Sequence, residues 1–145
     1  MTAKADSRPD WEAFLRALLD TLDAHMPADE RAVLLRAIGA QMAALSPIPP
    51  EDTLSGLEAR INERLAEPHW GSVSIALDSG GPALVLTHET APVLGTGQDN
   101  EGSWMGPVLE GLHAGWIAAQ PGAEPEIQAH LVSAERDRFV LRYGA

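Results

Sequence analysis

The spacing of the apolar residues changes along this chain of 145 residues, and that change limits the folds open to it. Up to residue 66, apolar side chains recur every three or four residues, which is the period of an amphipathic helix. From residue 72 they alternate with small and polar residues, as in a half-buried strand. One more helical stretch and two strand-like stretches follow. Because helices and strands do not alternate one by one, we expect an α+β fold with a mostly antiparallel sheet.

Three helices are predicted in the first half of the chain. The first follows Ser7, which forms a capping-box pattern with Asp10. The second begins near Pro27 and stops at the prolines of 46–50, because proline has no amide hydrogen to donate. The third covers 51–66. The residues expected to face inward are, in the first helix, Trp11, Phe14, Leu15, Leu18, Leu19, Leu22 and Met26, in the second, Val33, Leu34, Ala37, Ile38, Met42 and Leu45, and in the third, Leu54, Leu57, Ile61 and Leu65.

The second half is predicted to form a four-stranded antiparallel sheet, with a fourth long helix between two hairpin-like strand pairs. A turn of glycine and proline type at 78–82 joins the first pair. The predicted elements are strands at 72–77, 83–88, 126–133 and 138–143 and a helix at 104–119. We interpret 1–145 as a single domain. Its expected parts are a flexible N-terminal segment (1–7), a helical half (8–66) and a half made of the sheet and one helix (70–145).

The charge of the chain excludes several classes of partner. Asp and Glu number 21 against 10 Lys and Arg, so the formal net charge is −11. Nucleic acids and anionic membranes require clustered basic residues, and the chain has one lysine, Lys4. The first residues lack the apolar core of a signal peptide, and no stretch approaches the ~20 apolar residues of a membrane span. We therefore expect a cytoplasmic protein with no nucleic-acid partner and no direct membrane insertion.

No catalytic, cofactor-binding or metal-binding residue is predicted. The chain has no cysteine, which excludes thiol nucleophiles and thiolate zinc sites. His88 lacks the second histidine four residues on that a helical zinc site requires, so we interpret the five histidines as surface or hydrogen-bonded groups. The glycines of 95–102 resemble a phosphate loop, but Asp99 and Glu101 would repel phosphate. A small-ligand or oligosaccharide-processing enzyme stays an alternative, because catalytic carboxylates meet in space and not in sequence.

The fourth helix carries a stripe of small residues, Gly111, Gly115 and Ala119. A glycine inside a helix costs about 1 kcal/mol relative to alanine, and the close approach of another backbone offsets that cost. This backbone could come from the protein's own sheet or from the same helix of a neighbouring subunit. Trp104 and Trp116 serve equally as core residues or interface anchors. The candidate residues of an oligomer interface are therefore Trp104, Gly111, Gly115 and Trp116.

The sequence resembles a known family along most of its length. The residues that carry the resemblance are Trp70-Gly71-Ser72-Val73, His88-Glu89, Ser103-Trp104, Pro107-Val108-Leu109-Glu110-Gly111-Leu112, Trp116, Gln120 and Gly122-Ala123, with Arg31, Leu34-Leu35-Arg36, Gly39 and Met42 in the second helix. Together they resemble the bacterial cellulose synthase operon protein D family.

This resemblance implies an accessory protein with no catalytic activity and no cofactor. Members of the family form octamers, built as a ring-like stack of dimers, and work with the cellulose-synthesising complex so that crystalline fibrils are exported. Their N-terminal segments are proposed to line channels for glucan chains, and the matching candidates here are Thr2, Lys4 and Ser7.

Two locations follow from different roles. As an intracellular scaffold, the protein would align synthase complexes at the cytoplasmic face of the inner membrane, through other cellulose synthase subunits or a companion scaffold protein. As a periplasmic channel, it would contact cellulose (β-1,4-glucan) chains directly. We favour the scaffold because we see no export signal in the sequence.

Overall fold

The computed structural model describes residues 9–79, 83–96, 99, 102–123 and 129–144. Within them it contains four helices and four strands in the order predicted from the sequence. The elements are α1 (Glu12–His25), α2 (Ala28–Leu45), α3 (Leu54–Ala66), β1 (Ser72–Leu77), β2 (Leu84–Glu89), α4 (Met105–Ala118), β3 (Ala129–Glu135) and β4 (Arg138–Tyr143). The predicted α+β class is confirmed.

The four strands form one antiparallel sheet in the order β1-β2-β4-β3. Each hairpin contributes one central and one edge strand, and the hairpins meet where β2 pairs with β4. Leu86 in β2 lies opposite Ile75 on one side and Leu141 on the other. This register places His88 between Val73 and Phe139, in the middle of the sheet.

The helix α4 is the centre of the molecule. It lies between α2 and the β3–β4 end of the sheet, while α3 packs against β1. Leu109 and Leu112 are almost fully buried, as are Phe139 and Leu141 from the sheet. A helix that is apolar around most of its circumference is typical of a position inside the core. The helices and the sheet therefore share one hydrophobic core.

Most of the predicted inward face of α2 is wrong, and of its six residues only Met42 packs against the core. Val33, Leu34, Ile38 and Leu45 are exposed, whereas the buried residues of this helix are Leu35, Gly39 and Ala43. The reason is the short distance between α2 and α4, which admits only small residues along most of the contact. The prediction placed the large apolar residues of α2 in the core, whereas most of them lie on the outer face of the helix.

The first helix departs from its prediction in the same way. Leu19 is its only fully buried residue, and Trp11, Phe14 and Leu18 are exposed. The other three residues predicted to face inward are half-buried: Leu15, Leu22 and Met26. The helix begins at Glu12, where the backbone amide donates to the Asp10 carboxylate at 3.0 Å. The predicted partner of Asp10 in the capping box, Ser7, lies outside the described residues.

Two other boundaries differ from the sequence-based prediction. The helix α3 begins at Leu54 and not at residue 51, because the Thr53 hydroxyl accepts a hydrogen bond from the Gly56 amide at 3.0 Å and caps the helix there. The strand β3 is described from Ala129, and residues 124–128, where the prediction began it, lie outside the described part.

Candidate functional site

The glycines of α4 contact α2 of the same chain. A Cβ atom added to Gly111 would overlap the carbonyl oxygen of Arg36, and one added to Gly39 would overlap the carbonyl oxygen of Val108. A Cβ atom at Gly115 would lie 2.8 Å from the Cβ of Ala43. The close backbone expected from the small-residue stripe is therefore that of α2, and neither the sheet nor a neighbouring subunit is needed to account for it.

The two tryptophans among the interface candidates also make contacts inside the chain. The indole Nε1 of Trp116 donates to the Ser46 carbonyl at 2.9 Å, and the residue is only 3% exposed. The indole Nε1 of Trp104 donates to the Leu94 carbonyl at 2.7 Å, and the Trp104 backbone amide donates to the Asp99 carboxylate at 2.8 Å. The proposed role of these residues between subunits stays a prediction.

The candidate glucan-lining residues Thr2, Lys4 and Ser7 lie outside the described residues. In the part of the chain that the structure covers, no group of three or more His, Asp or Glu side chains is placed to hold a metal ion. Among the same residues, no helix is long and apolar enough to cross a membrane.

Sequence reasoning missed a buried histidine pair. His88 on β2 and His113 on α4 are both 0% exposed, and their Nδ1 and Nε2 atoms lie 2.8 Å apart. The Nε2 atom of His88 lies 2.7 Å from the Trp70 carbonyl oxygen. The His113 and Trp116 rings are in edge-to-face contact, with 5.9 Å between their centroids. The available signal was the position of each histidine on the apolar face of its own element, although no motif linked the two.

Burial controls the protonation of this pair. It lowers the pKa of His88 below its ordinary value, although the hydrogen bond to the Trp70 carbonyl acts in the opposite direction. Burial, together with repulsion from His88, holds the pKa of His113 well below its ordinary value of 6.5. Both imidazoles are therefore neutral at pH 7.

Large apolar side chains cover the outside of α1 and α2. We call these residues the outer apolar face: Trp11, Phe14, Leu18, Val33, Leu34, Ile38 and Leu45. Trp11 is 65% exposed and Leu45 is 75% exposed. Single exposed apolar residues are ordinary, but several on two consecutive helices are typical of an interaction surface. This surface is the strongest functional feature outside the core.

Side chains form hydrogen bonds with backbone groups at both edges of the sheet. At the β1 edge, the Asn62 side chain accepts from the Val73 amide at 2.7 Å and donates to the Val73 carbonyl at 3.0 Å. At the β3 edge, the buried Glu110 carboxylate accepts from the Leu131 amide at 2.7 Å. Edge strands with free backbone groups pair readily with other chains. These contacts therefore oppose assembly through the sheet.

The arginines of the helices are engaged inside the chain. Arg31 pairs with Asp23 at 2.9 Å, and Arg36 pairs with Glu110 at 3.3 Å. Arg60 pairs with Glu63 at 2.7 Å, and the Nε of Arg64 donates to the Pro47 carbonyl at 3.0 Å. Contacts within the chain therefore already engage four arginines that could otherwise bridge carboxylates between subunits.

Two of the larger open clefts in the described part of the chain adjoin α4. One, of about 410 Å³, lies between the ends of α2 and α3, and its walls include Met42, Trp70, Leu112 and Trp116. The other, of about 430 Å³, follows α2 and α4 beside the Arg36–Glu110 pair and is floored by alanine and glycine. Neither holds a set of nucleophile, base and acid that would point to catalysis.

Comparison with known proteins gives a consistent result. The family model that describes the D component of cellulose synthase matches residues 1–144 of the chain. Two curated proteins, both named cellulose synthase operon protein D, come from Komagataeibacter xylinus and Komagataeibacter sucrofermentans. Each is 36% identical to this chain over 118 residues, which cover 81% of the chain and 76% of the relative.

Proposed function

Since this chain belongs to the cellulose synthase operon protein D family, which confirms the resemblance and implies a role in cellulose synthesis, we propose that it is a non-catalytic accessory subunit that acts as an oligomeric scaffold. The scaffold is a homo-octamer assembled from dimers. It organises synthase complexes or glucan chains so that cellulose is exported as ordered, crystalline fibrils. Its partners are copies of itself, other cellulose synthase subunits or a companion scaffold protein, and cellulose chains.

The outer apolar face is the observation that carries this proposal. Its residues lie on and just before two helices that bury other residues, Leu19 in α1 and Leu35, Gly39 and Ala43 in α2. A second copy that covers this surface would remove apolar area from water, which contributes about 25 cal/mol of favourable free energy per Å² buried. The edges of the sheet are less suited to pairing with a second copy, because side chains already bond to backbone groups there. Assembly through α1 and α2 is therefore the arrangement that these contacts favour.

Polar substitutions on α1 test the proposed interface. Replacing Phe14 and Leu18 together with serine is expected to convert the assembly to smaller species at micromolar concentration, as measured by sedimentation velocity. The fold should persist, because both side chains are exposed. The matched control is Val132→Ser, which changes another exposed apolar residue, on β3. A wild-type protein that is monomeric would remove the proposal, and a Phe14/Leu18 variant that assembles normally would move the interface to another surface.

Salt is expected to leave the assembly intact or to tighten it. Each copy carries a formal charge of −11, so like charges oppose association at low ionic strength. The helix arginines are engaged within the chain, which leaves an apolar contact as the main attraction. The screening length shortens from about 8 Å at physiological ionic strength to about 3 Å at 1 M. Sedimentation at rising salt is the measurement, and dissociation at high salt would instead indicate an interface built on ion pairs.

The proposed place of action is the cytoplasmic face of the inner membrane. The alternative is the periplasm, where the protein could contact glucan directly through its N-terminal segment. Fractionation of cells that carry an epitope-tagged copy distinguishes the two.

Incubation of the pure protein with cello-oligosaccharides tests the absence of catalysis, since turnover would contradict an accessory role.

A further inference from the structure

We infer that His88, His113 and the Trp70 carbonyl form a proton-sensitive latch, which ties α4 and β2 to the junction between α3 and β1 and opens that junction in mild acid. We call these three groups the histidine latch. The inference is independent of the proposed scaffold role, because it concerns contacts within one chain.

The hydrogen-bond chain assigns a hydrogen to each imidazole. A carbonyl oxygen only accepts, so the Nε2 of His88 carries the hydrogen that is donated to Trp70 at 2.7 Å. The Nδ1 of His88 is then an acceptor, and the Nε2 of His113 must donate to it at 2.8 Å. The remaining atom, Nδ1 of His113, has a free lone pair and is buried without a hydrogen-bond partner among the described residues. An additional proton therefore binds at His113 Nδ1.

Among the described residues, that proton has no acceptor in place. The carboxylates on the elements around the latch are engaged elsewhere: Glu110 on α4 with Arg36 and the Leu131 amide, and Glu89 on β2 with Arg138. On β4, Arg142 pairs with Asp78. Arg64 on α3 donates to the Pro47 carbonyl, and Glu67 and His69 next to it are exposed. A buried imidazolium without a counter-charge is costly. Protonation therefore favours a state in which His113 reaches water.

The junction that the latch holds is a strained turn. His69 has φ +60° and Gly71 has φ +89°, so both residues beside Trp70 are in the left-handed region. This conformation is unfavourable for a non-glycine residue such as His69. A Cβ at Gly71 would overlap the Glu89 carbonyl oxygen, which shows how closely the turn approaches β2. The Trp70 amide donates to the Leu65 carbonyl at 2.9 Å. When His113 moves to water, the His88 ring loses the donor that orients it toward the Trp70 carbonyl. Loss of the His88–Trp70 contact then leaves the turn to relax away from β2.

Opening of this junction would also change the neighbouring cleft. Trp70 and Trp116 both line the cleft between α2 and α3, and each contacts one histidine of the pair. A change of protonation therefore moves the two largest side chains of that cleft. The contact of His113 with the Trp116 ring also provides a fluorescence signal, because an imidazolium quenches indole emission.

The sign of the pH effect follows from proton uptake. Above pH 6.5, the ordinary value for histidine, both the closed and the open state hold His113 neutral, and the latch is at full strength. Below it, the open state binds a proton while burial keeps the closed state neutral. The opening equilibrium constant then rises up to tenfold per pH unit. Between pH 7.5 and 5.5 we expect an increase of about tenfold from His113.

Hydrogen exchange of the Trp70 amide tests the latch on the full-length protein. After correction for the intrinsic exchange rate at each pH, protection of 69–71 should fall about tenfold between pH 7.5 and 5.5. In His113→Gln, whose side-chain amide still donates to His88 but does not titrate, the fall in protection should be clearly smaller, because the contribution of His113 is removed and only that of His88 remains. His130→Gln, at an exposed histidine, should behave as wild type. Constant protection in wild type, or an equal fall in His113→Gln, would overturn the inference.

A second measurement needs no variant. Imidazole ¹⁵N chemical shifts of the wild-type protein at pH 7.5 should show hydrogen on Nε2 and none on Nδ1 for both His88 and His113. As the pH falls, His113 should gain a proton on Nδ1 over the same range in which the Trp70 amide loses protection and Trp116 emission decreases. Hydrogen on Nδ1 of His88, or junction opening while His113 stays neutral, would contradict the latch.

Discussion

Gly111→Ala is expected to lower the free energy of unfolding by about 3 kcal/mol, an unusually large effect for the addition of one methyl group. The new Cβ would overlap the backbone carbonyl oxygen of Arg36, with the Ala40 amide nitrogen 3.0 Å away. Backbone atoms cannot rotate aside as a side chain can, so α2 and α4 must separate along their whole contact. The loss of packing outweighs the roughly 1 kcal/mol that alanine gains over glycine in a helix.

The matched control is Gly106→Ala in the same helix. Its Cβ would lie 2.9 Å from the end of the Leu131 side chain, which can move. We expect a change within about 1 kcal/mol in either direction, because the gain in helix propensity offsets the adjustment of Leu131. Chemical denaturation at one protein concentration measures both variants. Equal effects at Gly106 and Gly111 would show that α2 and α4 do not approach as closely as described.

Gly39→Ala extends this test to the opposite helix. Its Cβ would overlap the Val108 carbonyl oxygen, so a loss similar to that of Gly111→Ala is expected. The two substitutions push the same pair of helices apart, so their effects should not add. A double variant that loses clearly less than the sum would confirm a shared cause.

The order of helices and strands could be predicted because each element repeats its own period over several residues. The buried face of α2 could not be predicted in this way. Hydrophobicity indicates which side chains avoid water, but it does not indicate which part of the molecule they pack against. In α2, contact with α4 is made by Gly39 and Ala43, while Leu34 and Ile38 remain outside. The proposed assembly would give the chain two kinds of apolar face, and the sequence pattern does not separate them. The stripe of Gly111 and Gly115 indicated close packing without identifying the partner.

The histidine pair and the covered sheet edges depend on contacts between distant residues. His88 and His113 are 25 positions apart, and Asn62 and Val73 are 11 apart on different elements. The apolar face of its own element indicates that each histidine is buried, but no local pattern indicates that the two histidines meet. The position of Asn62 in α3 likewise does not indicate that its side chain bonds to β1. Such contacts become visible only when the register of the sheet and the packing of α3 on β1 are known.

Asn62→Leu is expected to destabilise the protein by about 2–4 kcal/mol and to promote aggregation. The Asn62 side chain bonds both backbone groups of the buried residue Val73, as an adjacent strand would. Leucine is similar in volume and a better helix former than asparagine, so its intrinsic preference favours the variant. Each backbone group left without a partner costs about 1–3 kcal/mol. This cost exceeds the gain in helix propensity, so the variant is less stable than the wild type.

Glu58→Gln is the matched control at the same edge. Glu58 accepts a hydrogen bond from the Ile75 amide at 2.7 Å, and the glutamine oxygen can accept it as well, so stability should change by less than about 1 kcal/mol. Light scattering under conditions of partial denaturation should show larger particles for Asn62→Leu than for Glu58→Gln, because a strand edge with free backbone groups pairs with other chains. If Asn62→Leu were as stable and as monodisperse as the control, water would be satisfying the Val73 backbone. The helix α3 would then cover the edge by packing alone.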